Sequence, residues 1–282
     1  METAKVIGIL GGMGPEATCD LFHKIIRVTP RFKPIRRDQD HLRVIVDSNP
    51  LIPDRTAAIL EGGEDPVPQL QETARNLERA GAGLIAMPCN TAHYFWDQVQ
   101  AAVGIPVLHM MEEVARALAG DGPVGGQPGA SPAGVSQVGP PATAAGAGRV
   151  GPPATAAGVR CVGSPASAAT VSRVGLLATT ATVRTRLYHR ALEARGIEVL
   201  EPDAGGQQAV MEAIYRVKRG DLAGARAPLV AEARRLEEAG ADAIVAGCTE
   251  IPLVLGQGDL GVPLVDATEV LAVAAVRAAL QG

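Results

Sequence analysis

Aromatic side chains are scarce in this chain: one Trp, three Tyr and three Phe make up 2% of its 282 residues. Single-stranded nucleic acid is gripped by stacking rings and duplexes by clustered Lys and Arg, and a formal net charge of -4 leaves no basic excess either. Nucleic acid is therefore excluded as a partner, and a small molecule is expected. Lysine is rare too, and Lys5, Lys24, Lys33 and Lys218 stand in no recognisable pyridoxal-phosphate context. Cys19, Cys89, Cys161 and Cys248 are at least 70 residues apart, which excludes C-x-x-C metal or redox spacing and a disulfide framework. Long hydrophobic runs are missing as well. Val6–Leu10 is too short for a signal segment, and nothing approaches the roughly 20 apolar residues of a membrane span. A soluble protein of a reducing cytoplasm is expected.

What is present is globular composition, 47% apolar and 20% charged. One segment departs from it. Between about 121 and 172 the chain is nearly uncharged and rich in Gly, Pro, Ala, Ser and Thr, and residues 136–183 divide into four twelve-residue copies. The last copy, SRVGLLATTATV, reads as a buried strand and turn, whereas the first two copies carry prolines where it has Leu176 and Leu177. The segment is expected to be an insertion expanded from a functional strand, with Cys161 inert inside it.

The remaining residues alternate strand and helix, the rhythm of parallel sheets covered on both faces. Strands are expected at 5–10, 42–47, 84–87, 105–108, 173–178, 197–200, 243–246 and 262–265. The order repeats itself. AGAGLIAMPCNTAH from Ala80 aligns with AGADAIVAGCTEIP from Ala239 and superposes Cys89 on Cys248 without a gap, while VIGILGG echoes RVGLLAT upstream and IPVLHMMEEVARAL echoes VPLVDATEVLAVAA downstream. The expected fold is α/β, with two pseudo-symmetric lobes that are each a parallel sheet flanked by helices, and the active site between them. The N-terminal lobe is expected to hold residues 1–108 and 266–282, and the C-terminal lobe residues 109–265, including the insertion.

Each half carries one cysteine just past the C-terminal end of a strand, where open α/β sheets bind ligands. Backbone N–H groups and a helix N-terminus are expected there and lower a thiol's pKa. Each cysteine is followed by hydrogen-bonding residues, Asn90-Thr91 and Thr249-Glu250, where a core cysteine would have apolar neighbours. Two thiols facing one carbon suit stereoinversion, in which one removes the α proton and the other delivers a proton to the opposite face. Gly12, Gly14 and Ala17 fit a G-x-G-x-x-A dinucleotide fingerprint, but the second half repeats that turn as ATTAT without glycines. His93 and His109 have no i,i+4 partner for zinc, and no G-x-S-x-G elbow occurs, so neither a metal nor a serine nucleophile is expected.

The motifs GILGGMGPEAT at Gly8, NPLIPDRTAAIL at Asn49, MPCNTAH at Met87, GLLATTAT at Gly175 and AGCTEIP at Ala246 resemble the aspartate/glutamate racemase family, and within it the aspartate racemase branch. The resemblance implies a cofactor-independent amino-acid racemase, commonly a homodimer, with Cys89 and Cys248 as the acid and base pair. It implies that Asn90, Thr91, Thr249 and Glu250 hold the α-amino and α-carboxylate groups. The backbone at Met13 closes one wall, and Thr179 contributes from the symmetric turn. Arg55 and Lys218 resemble the cations that grip a side-chain carboxylate, with Arg219 as the alternative to Lys218. The glycines of the opening turn are then read as allowing close approach to a substrate carboxylate. Rival readings are a non-catalytic two-lobed amino-acid-binding protein, a cofactor-free decarboxylase or isomerase of the same superfamily, and a nucleotide-dependent reductase.

Overall fold

The computed structural model describes residues 4–120 and 171–281. Its first half runs β1 (Ile7–Gly11), α1 (Pro15–Val28), β2 (Val44–Ser48), α2 (Arg55–Leu60), α3 (Val67–Arg79), β3 (Leu84–Ala86), α4 (Trp96–Gln100) and α5 (Met110–Ala119). The second runs β4 (Arg173–Ala178), α6 (Thr180–Arg184), α7 (Leu187–Glu193), β5 (Glu198–Leu200), α8 (Ala204–Lys218), α9 (Leu222–Glu238), β6 (Ala243–Gly247), β7 (Leu264–Asp266) and α10 (Ala267–Leu280). The expected insertion, except its last residues, and Cys161 lie outside the described residues.

The strands form two parallel sheets, ordered β2-β1-β3 and β5-β4-β6-β7, so that β1 and β4 occupy equivalent central places. Every residue of β1, β3 and β6 is buried, as strands covered on both faces must be, which is why each reads as a continuous apolar run. Their side chains alternate between cores. Ile7, Ile9, Leu84, Val174, Leu176 and Val245 join α1, α5, α7 and α10 in one core common to both sheets. Leu10 and Ile85 face α3 on the far side of the first sheet, while Leu177 and Ile244 face α8 and α9 on the far side of the second. In α3 the buried residues Leu70, Thr73, Ala74 and Leu77 keep the spacing of one helical face.

The duplication legible in the sequence extends to side chains that brace the backbone. Gln100 donates to the carbonyl of Ile105 and accepts from the N–H of Val107, and Gln257 does the same for Val262 and Leu264. Glu78 accepts from the N–H of Gly104, as Glu237 does from Gly261. One expected strand is shortened. Residues 105–108 meet the first sheet through a single bridge, Ile85 to Val107, in which the N–H of Ile85 donates to the carbonyl of Pro106 and the N–H of Leu108 to that of Ile85. The other expected strands are present with ends shifted by one or two residues, and 173–178 matches throughout.

Candidate active site

β3 and β6 end side by side with their sheets, and the chain leaves each through a tight loop carrying a cysteine. A short 3₁₀ turn follows in both cases, Thr91–Phe95 and Ile251–Leu253, where a helix was expected. Cys89 and Cys248 are buried. Tyr188 of α7 connects the two loops. Its ring lies 3.0 Å from where a Cβ on Gly247 would stand, and its hydroxyl donates to Asn90 Oδ1 at 2.6 Å. The residue before Cys248 and the residue after Cys89 therefore pack on one side chain. Burial raises the Tyr188 phenol well above its ordinary value, with Cys248 and Asp266 adding to it, so the group is a neutral donor.

A second bridge is made of hydroxyls. Thr91 approaches Thr179 at 2.9 Å and Thr182 at 3.1 Å, and the latter two are 3.0 Å apart, a closed triangle of buried groups joining the halves. Thr179 is also the N-cap of α6 and accepts from the N–H of Thr182. The Asn90 amide nitrogen is buried and has no hydrogen-bond partner among the described residues. Behind Cys89, burial lowers His93 to about 4, reinforced by His109. The neutral ring donates from Nδ1 to the Cys89 carbonyl at 2.8 Å, which fixes the turn. Among the described residues no group of three His, Cys, Asp or Glu side chains is placed to hold a metal.

The second loop is charged. Glu250, 6% exposed, accepts from the Cys248 thiol at 2.9 Å and from the Thr249 hydroxyl at 3.2 Å through Oε2. Its Oε1 lies 3.7 Å from the ammonium of Lys218, at the end of α8. Burial pushes the Cys248 thiol well above the ordinary cysteine range and the charge of Glu250 pushes it further, against the pull of Lys218. The expectation that loop N–H groups and a helix end lower both thiols fails at Cys248, because desolvation and an adjacent carboxylate outweigh them. Lys218 is held above its ordinary 10.5: burial lowers it, but Glu250, then Cys248 and Cys89, outweigh burial and an opposing Arg55. One ammonium thus lies within reach of both thiols' fields.

Arg55 opens α2 and is 9% exposed. Its Nη1 donates to the carbonyls of Ile52 and Pro53, and its Nη2 reaches that of Met13 at 3.4 Å. The buried Nε–H has no partner among the described residues. The Met13 turn lies against the other half: a Cβ on Gly14 would stand 3.9 Å from Oε1 of Glu250. The neighbouring glycines serve another purpose than the one expected. A Cβ on Gly12, whose φ is +93°, would fall 2.3 Å from the backbone of Asn49, and one on Gly11 would fall 2.4 Å from Thr18. Gly11 admits close packing of β1 on α1, and Gly12 admits the loop after β2.

Comparison with known proteins shows the family and the fold. Residues 10–126 and 158–275, well over half of the chain, match the Asp/Glu/hydantoin racemase family. The chain belongs to that family. Among solved structures it is similar to an aspartate racemase of Picrophilus torridus, with 27% identity and a TM-score of 0.72 over 98% of this chain and 94% of that one. An aspartate racemase homologue from Pyrococcus horikoshii OT3 is 25% identical, with a TM-score of 0.67 over 98% and 99% of the two chains. A broad-specificity amino-acid racemase of Bacillus subtilis (strain 168) is 32% identical over 120 residues, 39% of this chain and 48% of that protein, so the match spans about half of that curated relative.

Within this family fold, the residues singled out in the sequence gather at the mouth between the sheets. Met13 meets Arg55, Asn90 and Thr91 flank Cys89, Thr179 meets Thr91, and Thr249, Glu250 and Lys218 surround Cys248. Of the two basic candidates at the end of α8, both exposed, Lys218 lies 3.7 Å from Glu250. Thr182 and Tyr188 were missed. The three threonines of ATTAT were a signal for Thr182, which lies one helical turn beyond the cap. Nothing local marks Tyr188.

Proposed function

We propose that this chain racemises an acidic amino acid, aspartate or glutamate, by moving one proton off the α carbon and another onto its opposite face, with no cofactor. The observation that carries the reading is a pair of buried cysteines at equivalent strand ends of two like halves, tied together through Tyr188 and the threonine triangle. Cys248 is the protonated partner as it stands, since burial and Glu250 hold its proton. The unpaired amide donors of Asn90 and the hydroxyls of Thr91, Thr179 and Thr249 are suited to an α-carboxylate, and the free Nε edge of Arg55 to a side-chain carboxylate. Met13 closes the wall that Arg55 holds. A desolvated site strengthens each of these contacts and shields the carbanion from water. By likeness to the family, the working unit is a cytoplasmic homodimer, and light scattering of the purified protein tests the assembly.

The deciding experiment is proton NMR of L-aspartate in deuterated water with the purified enzyme. Loss of the α-proton signal together with appearance of D-aspartate is expected. Arg55→Ala should weaken turnover of aspartate while sparing exchange on alanine. Binding of aspartate with no exchange would instead make the chain an amino-acid-binding protein, and release of carbon dioxide would make it a decarboxylase.

A further inference from the structure

Glu250 stands between two protonated groups. Oε2 accepts the Cys248 thiol, and Oε1 faces the Lys218 ammonium. Other groups around the pair are Arg55 from α2, Cys89 from the loop after β3 and the neutral Tyr188 from α7. Lys218 is a third exposed on a flexible stem, whereas Glu250 is enclosed. When an acidic substrate enters the racemase site of the preceding section, one mobile ammonium has two carboxylates to choose between.

We propose that Lys218 is a specificity switch: an acidic substrate draws it from Glu250, and the proton shared by Cys248 and Glu250 then moves from sulfur to oxygen. The Sγ–H bond breaks and an O–H bond forms on Oε2. The resulting thiolate takes the α proton, and the Cys89 thiol gives its proton to the opposite face. When product leaves and Lys218 returns, Glu250 releases its proton to solvent and the Cys89 thiolate regains one, so the cycle neither gains nor loses a proton. The drive is Coulombic and differential: Lys218 favours negative charge on both Glu250, 3.7 Å away, and Cys248, but its coupling to Glu250 is the larger, so withdrawing it favours a proton on oxygen more than on sulfur. Recognition of the acidic side chain then acts on the chemical step as well as on binding.

Thiolate and turnover can be read separately. In Cys89→Ser, saturating succinate, a dicarboxylate without an amino group, should raise the ultraviolet thiolate absorbance by a measurable fraction of one equivalent. The rise should vanish when Lys218→Met or Glu250→Gln is added. With the wild-type enzyme, formate should raise the rate of deuterium exchange into alanine by about 10²- to 10⁴-fold, the scale of a positioned proton carrier, and should do nothing in Lys218→Met. The switch is overturned if succinate fails to bind, or binds by calorimetry without raising the absorbance. It is also overturned if formate leaves alanine exchange unchanged while aspartate exchanges normally. A succinate-driven rise in a folded enzyme that exchanges neither amino acid would instead retain the switch and reject racemisation.

Discussion

After β3 the chain reads Met-Pro-Cys89-Asn-Thr, and after β6 it reads Gly-Cys248-Thr-Glu. The scaffolds beneath these loops are alike down to Gln100 and Gln257, or Glu78 and Glu237, which hold the same backbone groups in each half. The loops themselves differ in charge. Around Cys89 the partners are neutral: Asn90 on Tyr188, Thr91 on two threonines, His93 on a carbonyl. Around Cys248 a carboxylate is buried against the thiol and balanced by Lys218. The helix caps that follow differ in the same sense. His109 caps α5 and packs edge-on against His93 and Trp96, whereas its counterpart Asp266 caps α10 and takes the buried ammonium of Lys24 at 2.5 Å. A duplicated backbone thus supplies two like positions, and unlike charges surround the two thiols, with burial and Glu250 raising that of Cys248.

The largest expected effect comes from removing either member of the pair. Cys89→Ser and Cys248→Ser should each lose about 10²–10⁴-fold in racemisation while keeping slow α-deuterium exchange on one enantiomer, opposite for the two variants. Polarimetry and NMR read both quantities, and full activity in either variant would end the two-thiol reading. The asymmetry of the caps is tested next by Lys24→Met. That change leaves Asp20 and Asp266 together in the core without their cation and should cost about 3–5 kcal/mol in chemical denaturation.

The pH dependence of the same cluster follows from Lys24, whose pKa is raised above 10.5: burial lowers it, but Asp266 and Asp20 outweigh burial. A group raised on folding contributes stability that is complete below its unfolded value. Melting temperature should therefore hold up to about pH 10.5 and fall as pH rises through the folded value, and the fall should be smaller in Lys24→Met. Tyr188→Phe cuts the bond between the halves at Asn90 and should cost about 1 kcal/mol, with a modest drop in turnover. Cys19, exposed on α1, has no counterpart in the second half, and Cys19→Ser should stay within about 0.5 kcal/mol of the parent. A large effect there would show that a third thiol matters to the comparison.

Much of this was legible in the chain itself. The alternation of strands and helices along the chain, the parallel class of the sheets, the duplication and the superposition of Cys89 on Cys248 all rest on local apolar runs and on internal repetition, which need no knowledge of distant contacts. The residue types after each cysteine also announced polar loops. Where the sequence misled, a third dimension intervened. Gly12 looked like a ligand-facing glycine because its motif is shared with nucleotide loops, yet the space it leaves is filled by Asn49. Residues 105–108 looked like a full strand because their apolar pattern does not reveal that Val107 alone bridges to β3.

Periodicity, turn chemistry and repetition are properties of neighbours in the chain, so the sequence by itself determined the two-lobed α/β plan and the identity of the paired cysteines. Tertiary structure alone decided that Cys248 is held above the ordinary thiol range, that Tyr188 and Asn90 meet across 98 positions, and that Lys24 and Asp266 meet across 242. The reason is physical: the acidity of a buried group depends on the water removed from it and on the charges folding brings within a few ångströms, and neither is written in the order of the residues.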